Sequence, residues 1–174
     1  MSKRNLRTAR VIVTGASSGI GRETALELAR HGSRLVLTAR RQERLTELKA
    51  EVESLGGTAA VVPGDITDGS LRQEVVERAV REFGGLDVLV NNAGIGAIGV
   101  FASADAARLR RVMEVNFFAV VEMTRIALPL LRQGERPIIV NISSVLAHRA
   151  VPRKSEYCAS KFAVHGFSDA LRAE

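Results

Sequence analysis

The chain has 174 residues, a length that fits one domain with a sizeable apolar core. Apolar residues make up 46% and charged residues 25%, as in soluble proteins, and no run approaches the roughly 18 apolar residues of a membrane span. The formal charge is +6, but Lys and Arg are mixed with Glu and Asp and the few aromatic residues show no stacking pattern, so we expect a basic surface rather than a nucleic-acid partner.

Short β-branched runs alternate along the chain with longer amphipathic runs. The predicted strands are Val11–Val13, Leu35–Leu37, Ala59–Val62, Val88–Val90 and Pro137–Ile142. The predicted helices are Ile20–Ala29, Leu45–Leu55, Leu71–Val80, a long one over about Ala104–Leu131, and one that begins near Ser155. Continuously apolar strands separated by helices indicate a parallel sheet covered on both faces, a doubly wound α/β domain over residues 1–174.

Two features concern the ends of the chain and its surroundings. A dinucleotide-binding fold has six strands in its basic plan, and only five are predicted here, so we expect a domain truncated at its C-terminal end. The N-terminus, Met1 to Arg10, is basic without a following apolar run, so it does not resemble a signal sequence. Cys158 is the single cysteine, which excludes an internal disulfide and favours a cytoplasmic location.

A glycine-rich loop separates the first predicted strand from the first predicted helix. Glycines allow the backbone to turn sharply and to approach a diphosphate, and the N–H groups of the following helix point at the anion. Glycine turns are common, but this strand–loop–helix context favours nucleotide binding. The residues predicted to hold the cofactor here are Gly15, Ser17, Ser18, Gly19, Ile20 and Gly21.

Tyr157 and Lys161 are four residues apart in a helical pattern, so both side chains lie on one face about one turn apart. An ammonium close to a phenol stabilises the phenolate, and a tyrosine tuned in this way can exchange a proton near neutral pH. A chance pairing of the two residue types is the alternative interpretation.

Three motifs occur in order: Gly-x-x-x-Gly-x-Gly from Gly15, the tetrad Asn91-Asn92-Ala93-Gly94, and Tyr157-x-x-x-Lys161. Together they resemble the short-chain dehydrogenase/reductase family, in its short single-domain branch, over nearly the whole chain. The resemblance implies an oxidoreductase that exchanges a hydride between a nicotinamide cofactor and a small carbonyl compound or secondary alcohol. It also implies a homodimer or homotetramer and no metal.

The resemblance implies a catalytic set of four residues, Asn116, Ser144, Tyr157 and Lys161. Ser144 lies thirteen residues before Tyr157, the family's usual separation, and would donate to the substrate carbonyl, with Ser143 as a structural neighbour. Tyr157 would be the general acid or base. Lys161 would support it and bind the ribose. Asn116 would locally disturb the long helix, and its carbonyl would hold a water that links Lys161 to solvent. Without the family, Asn116 could equally be a buried hydrogen-bonding residue.

The end of the second strand reads Thr38-Ala39-Arg40-Arg41, without the carboxylate that NAD-specific sites use for the ribose 2′-hydroxyl. Arg40 can pair with a 2′-phosphate, so NADP(H) is favoured over NAD(H). The alternative is that both arginines only begin a charged helix. Asp65 and Ile66 would contact the adenine, and the segment Asn92, Ala93 and Gly94 would lie beside the cofactor ribose. Asp65 could also cap a helix or hold a turn.

Two questions stay open at the level of sequence. The cationic segment Val145–Lys154 could attract an anionic substrate, although a solvated loop is the simpler interpretation. A nucleotide-binding regulator without turnover would share the fold and the glycine loop. The presence of all four catalytic positions argues against it.

Overall fold

The computed structural model describes residues 6–174, so the first five residues of the predicted domain and of the basic N-terminus lie outside the described residues. Within that range, five strands form one parallel sheet: β1 Arg10–Thr14, β2 Arg34–Ala39, β3 Thr58–Pro63, β4 Val88–Asn91 and β5 Ile138–Asn141. Their order across the sheet is β3-β2-β1-β4-β5. The strand order therefore reverses between β1 and β4, and at such a switch point the loops diverge and leave a crevice.

Six α-helices connect and cover the strands in the described part of the chain. They are α1 Gly19–Arg30, α2 Gln42–Ser54, α3 Gly69–Phe83, α4 Ala106–Met113, α5 Ala119–Leu131 and α6 Ser155–Ala173. The predicted class, a doubly wound α/β fold, is confirmed.

Two separate apolar cores lie on the two faces of the sheet. Val11 and Val13 of β1 pack on one face with residues of α1 and α2, whereas Ile12 between them packs on the other face with residues of α3 and α5. Successive side chains of a strand point to opposite faces, so a continuously apolar strand is what two buried faces require. Strand β5 is the exception, because Ile138 and Val140 stay 43% and 38% exposed at the sheet edge.

The ends of α3 show how local sequence sets the helix boundaries. The side chain of Asp68 accepts a hydrogen bond from the backbone N–H of Ser70 and caps the N-terminus. Gly84 follows the last turn with φ of 71°, a left-handed conformation that glycine adopts without strain. The helix predicted over Leu71–Val80 is therefore present and continues to Phe83, where Gly84 ends it.

The long helix predicted over about Ala104–Leu131 is interrupted once, at Asn116, where the resemblance implies a local disturbance. The helix begins at Ala106, where Asp105 caps it, and a π-helical turn over Glu114–Phe118 separates α4 from α5. Asn116 lies in the middle of this turn, fully buried. Apolar periodicity does not reveal the interruption because the chain stays helical on both sides of one widened turn.

Candidate functional site

A cavity of about 910 Å³ opens at the carboxyl ends of the strands. Most of the residues predicted for the site line it: Gly15, Ser17, Ser18, Ile20, Arg40, Asp65, Ile66, Asn92, Ala93, Gly94, Ser144, Tyr157 and Lys161. Gly19, Gly21 and Asn116 are not among its lining residues. The fold therefore brings together side chains that are as much as 146 positions apart in the sequence.

The glycine loop is fastened to the end of β4 by Asn92 and Thr14. The side-chain amide of Asn92 donates to the carbonyl oxygens of Thr14 and Gly15 at 2.9 and 3.1 Å. The Thr14 hydroxyl oxygen accepts from the backbone N–H groups of Asn92 and Ala93, both at 3.0 Å. A Cβ on Gly15 would lie 2.7 Å from the Cα of Ala93, so this close approach requires glycine. Thr14 directly follows the predicted strand Val11–Val13, and nothing in the sequence predicts that its hydroxyl binds the segment after β4.

The N-terminus of α1 is open to an anion. Ser18 stands at the cap position without a side-chain hydrogen bond to the helix, and no acidic residue lies in the first turn. Gly19 has φ of 57°, and no atom lies within 4 Å of the position a Cβ would take. The first N–H groups of a helix lack partners within it and carry partial positive charge. The loop therefore fits the diphosphate of a dinucleotide.

Arg41 holds the serines of this loop. Its guanidinium donates from Nε and Nη2 to the Ser17 hydroxyl at 3.2 and 2.9 Å, and from Nη2 to the Ser18 hydroxyl at 2.6 Å. Arg40 and Arg41 both line the cavity and both are exposed. Two cations at the end of β2, without a carboxylate, form a site suited to a phosphate group. The sequence analysis noted Arg41 only as the start of a helix.

Asp65 holds the turn that follows β3, which was the alternative left open for it. Its Oδ1 accepts from the backbone N–H and the hydroxyl of Thr67, and its Oδ2 accepts from Arg111 at 2.7 Å. Burial opposes ionisation, but these hydrogen bonds outweigh it and hold the pKa of Asp65 at about 2. Arg111, on α4, also lines the cavity, and nothing in its sequence context singled it out.

The side-chain amide of Asn116 is fully used within the protein. Its Oδ1 accepts from the backbone N–H of Ile95 at 2.8 Å, and its Nδ2 donates to the Ile95 carbonyl and to the Ser160 hydroxyl, both at 3.0 Å. Asn116 therefore ties the loop after β4 to α6. A role for its backbone carbonyl in a water chain stays a prediction.

The two serines after β5 have different surroundings. Both line the cavity, and the Ser143 hydroxyl donates to the backbone carbonyl of Lys161 at 3.3 Å, so its hydrogen is engaged within the protein. The Ser144 oxygen accepts from the backbone N–H of Leu146 at 3.1 Å. Because a hydroxyl has one hydrogen to donate and Ser144 faces the cavity, that hydrogen remains available to a substrate oxygen.

Tyr157 and Lys161 lie in the first two turns of α6, as their spacing predicts. The Lys161 Nζ is 5.8 Å from the centre of the Tyr157 ring and donates to the carbonyl of Ile142 at 2.8 Å. Burial lowers the pKa of Lys161, which is only 5% exposed. A buried cation beside a phenol is an arrangement that can move a proton.

The cationic segment before α6 only partly reaches the cavity. Lys154 lines it, whereas Arg149 and Arg153 are not among the lining residues. His148 is exposed and packs against His165 with ring centres 4.5 Å apart. Over residues 6–174, no group of three or more His, Cys, Asp or Glu side chains could hold a metal ion.

No helix in the described range is long and apolar enough to cross a membrane.

Comparisons with known proteins agree with this geometry. The chain is 42% identical over 171 residues to a hydroxysteroid 11-beta-dehydrogenase 1-like protein of Xenopus tropicalis, and covers 59% of that protein. It is 40% identical to dehydrogenase/reductase SDR family member 7B of Mus musculus, and covers 55% of it. Each alignment includes at least 97% of this chain, so the chain spans little more than half the length of these two relatives.

A crystal structure described as a candidate short-chain alcohol dehydrogenase from Sinorhizobium meliloti 1021 superimposes with a TM-score of 0.90 at 32% identity. The superposition covers 96% of this chain and 66% of the other. The model of the short chain dehydrogenase family matches residues 9–174. The chain therefore belongs to the short-chain dehydrogenase family of oxidoreductases.

Proposed function

We propose that this chain is an NADP(H)-dependent oxidoreductase that interconverts a carbonyl compound and a secondary alcohol. The observation that carries the proposal is one cavity that holds an open helix N-terminus and two arginines as well as Ser144, Tyr157 and Lys161. A nucleotide-binding protein without turnover needs only the first group. A proton donor beside a buried lysine is useful only where a bond is made or broken.

The chain's own residues handle the proton and the substrate oxygen. Ser144 donates a hydrogen bond to the carbonyl oxygen and stabilises the negative charge that develops there. Tyr157 delivers the proton to that oxygen during reduction and removes it during oxidation. The bound nicotinamide supplies or accepts the hydride at the carbonyl carbon. Lys161 stabilises the phenolate, and burial lowers the pKa of Lys161 itself.

The preference for the phosphorylated cofactor is proposed from Arg40 and Arg41. The Arg41 guanidinium is already oriented by Ser17 and Ser18, so less conformational entropy is lost when a phosphate binds. Asp65 is the carboxylate among the residues that line the cavity. It lies just after β3, and its oxygens accept hydrogen bonds from Thr67 and Arg111. NAD(H) is the less favoured cofactor on this argument.

Tyr157→Phe tests the proposal. The ring is kept and the hydroxyl lost, so carbonyl reduction with NADPH should fall to background while NADPH affinity stays within about twofold. Ser54→Ala, which removes an exposed hydroxyl at the end of α2, away from the cavity, is the control and should retain both. Full activity of Tyr157→Phe would exclude the acid–base role. NADPH binding by the unaltered chain, with no reduction of any of a panel of ketones and aldehydes, would instead assign a nucleotide-binding regulator.

Three further statements belong to the same proposal. Residues 1–174 are proposed to form one domain. A homodimer or homotetramer is proposed, supported by the exposed apolar side chains of Leu109, Phe118 and Phe162 on α4, the π-helical turn and α6. A cytoplasmic location is supported by a single buried cysteine, Cys158.

A further inference from the structure

Glu156 is a buried carboxylate that directly precedes the proposed acid–base residue. It lies in the first turn of α6, and its side chain is only 1% exposed. Consecutive residues of a helix point in directions about 100° apart, so Glu156 turns away from the cavity that Tyr157 lines. A buried glutamate requires a partner, because an unpaired buried charge is strongly destabilising.

Arg108 of α4 is that partner, and it joins three segments. Its Nε and Nη2 donate to Glu156 Oε1 at 3.0 and 2.7 Å, and its Nη1 donates to the carbonyl of Ile98 at 3.4 Å. The Arg108 hydrogen bond is the first cause of the lowered pKa of Glu156. Helix α4, the loop after β4 and the start of α6 therefore meet at one guanidinium.

A second tie connects the same loop to the start of α6. The backbone N–H of Gly99 donates to the carbonyl of Arg153 at 2.8 Å, three residues before Glu156. Gly99 has φ of 151°, and a Cβ there would lie 2.9 Å from Arg108 Nη1, so the guanidinium fits against bare backbone. Both contacts are made by the loop after β4, which also includes the cavity-lining residues Ile95, Gly96 and Ala97.

We propose that the Arg108–Glu156 ion pair positions the Tyr157 ring relative to the part of the cavity wall formed by Ile95–Ala97. No hydrogen bond of the Tyr157 hydroxyl is present within residues 6–174, and the Lys161 ammonium lies 5.8 Å from the centre of its ring. The position of the first turn of α6 therefore determines where the phenol lies. This inference rests on the proposed function of Tyr157.

A purely structural ion pair would have a different signature. Its loss would lower stability and leave the surviving folded molecules unchanged around Tyr157. Another ion pair in the chain offers the comparison: Arg10 and Asp87 join at 2.6 Å with side chains 22% and 6% exposed, against 32% and 1% for Arg108 and Glu156. Arg10 begins the central strand β1, at the amino ends of the strands and away from the cavity at their carboxyl ends, so Arg10→Met is the matched control.

The test uses the fact that Tyr157 is the only tyrosine in the chain. Protein labelled with ring-¹³C tyrosine gives a single set of ring signals, so the environment of this residue can be followed by NMR without assignment. Arg108→Met and Glu156→Met should both shift or broaden these signals in the ligand-free protein, and Arg10→Met should not. Arg108→Lys keeps the charge but cannot bind Glu156 and Ile98 in the same fork geometry, so its spectrum should lie between those of Arg108→Met and the unaltered chain.

Glu156→Met protects the test against unfolding. This variant removes the Glu156 carboxylate, which Arg108→Met would leave buried and unpaired. The Arg108 side chain, 32% exposed, can then turn to water. Unchanged tyrosine signals in a folded Glu156→Met protein would overturn the proposal, whatever the effect on stability.

Kinetics then separates this inference from the proposed function. With NADPH and a ketone that the unaltered chain reduces, Glu156→Met should lower kcat by about tenfold to a hundredfold, because small displacements of a reacting group are costly, and leave KM for NADPH unchanged. An unchanged kcat would overturn the positioning role. If the unaltered chain reduces no ketone or aldehyde, the proposed function fails, whereas the tyrosine spectra still decide whether the pair positions Tyr157.

Discussion

Replacing Asp87 by asparagine should destabilise the chain at neutral pH and much less in acid. Asp87 directly precedes β4, at the amino ends of the strands and away from the cavity, and is 4% exposed. Its carboxylate accepts from Arg10 at the backbone N–H, Nε and Nη2, at 2.9, 2.9 and 2.6 Å, and from the backbone N–H of Glu135 at 2.7 Å. These bonds join β1 to the segment before β5.

The magnitude follows from the pKa of Asp87. Burial alone would raise it, but the hydrogen bonds from Arg10 and Glu135 prevail and hold it at about 2, against an ordinary value of 3.8. One pKa unit corresponds to about 1.4 kcal/mol, so the ionised carboxylate contributes on the order of 2 kcal/mol to the free energy of unfolding. Because the pKa is lower in the folded state, this contribution is complete above about pH 5 and is lost as the pH falls through about 2.

Urea unfolding followed by circular dichroism at pH 7 and at the lowest pH where the chain stays folded measures the effect. The difference in free energy of unfolding between the unaltered chain and Asp87→Asn should be about 2 kcal/mol at pH 7 and should shrink steadily below pH 4. Glu23→Gln, which removes an exposed partner of Arg22, should change little at either pH. A difference that is constant with pH would refute the reasoning, because the effect would then not come from the charge of Asp87.

Three further predictions concern the cavity. Arg40→Ala should weaken NADPH about tenfold or more and leave NADH nearly unchanged, as measured by equilibrium titration; equal losses would mean that Arg40 does not contact the 2′-phosphate. Lys161→Met should reduce both NADPH affinity and turnover, unlike Tyr157→Phe, and retention of both would exclude its role. Asn116→Ala should lower the thermal midpoint, because the backbone N–H and carbonyl of Ile95 both lose their buried partner; an unchanged midpoint would show that these bonds contribute nothing.

The sequence predicts the parts of the structure that repeat along the chain. Apolar periodicity locates all five strands of the described sheet, and Gly84 marks the end of α3. Periodicity does not reveal the π-helical turn at Asn116, because the chain stays helical on both sides of it. It also does not reveal the hydrogen bond between Asn116 and Ile95, 21 residues away in the sequence.

The site is predicted where a motif names its residues and is missed where only the fold brings them together. Tyr157 and Lys161 are a local pair, so their spacing suffices. Arg111 reaches Asp65 across 46 positions, and Arg108 reaches Glu156 across 48, so neither contact leaves a signature in the sequence. Arg41 was visible beside Arg40, but only the structure shows that its guanidinium binds the serines of the glycine loop.

Titration of the chain with NADPH and with NADH is the direct test of the proposed cofactor site and of its preference for NADP(H). The chain has no tryptophan and one tyrosine, so the emission of the reduced nicotinamide can be followed with little background from the protein. We expect saturable binding of NADPH at least about tenfold tighter than that of NADH, since one phosphate contact with an arginine is worth about 1.5–3 kcal/mol. Equal or tighter binding of NADH, or binding of neither cofactor, would contradict it.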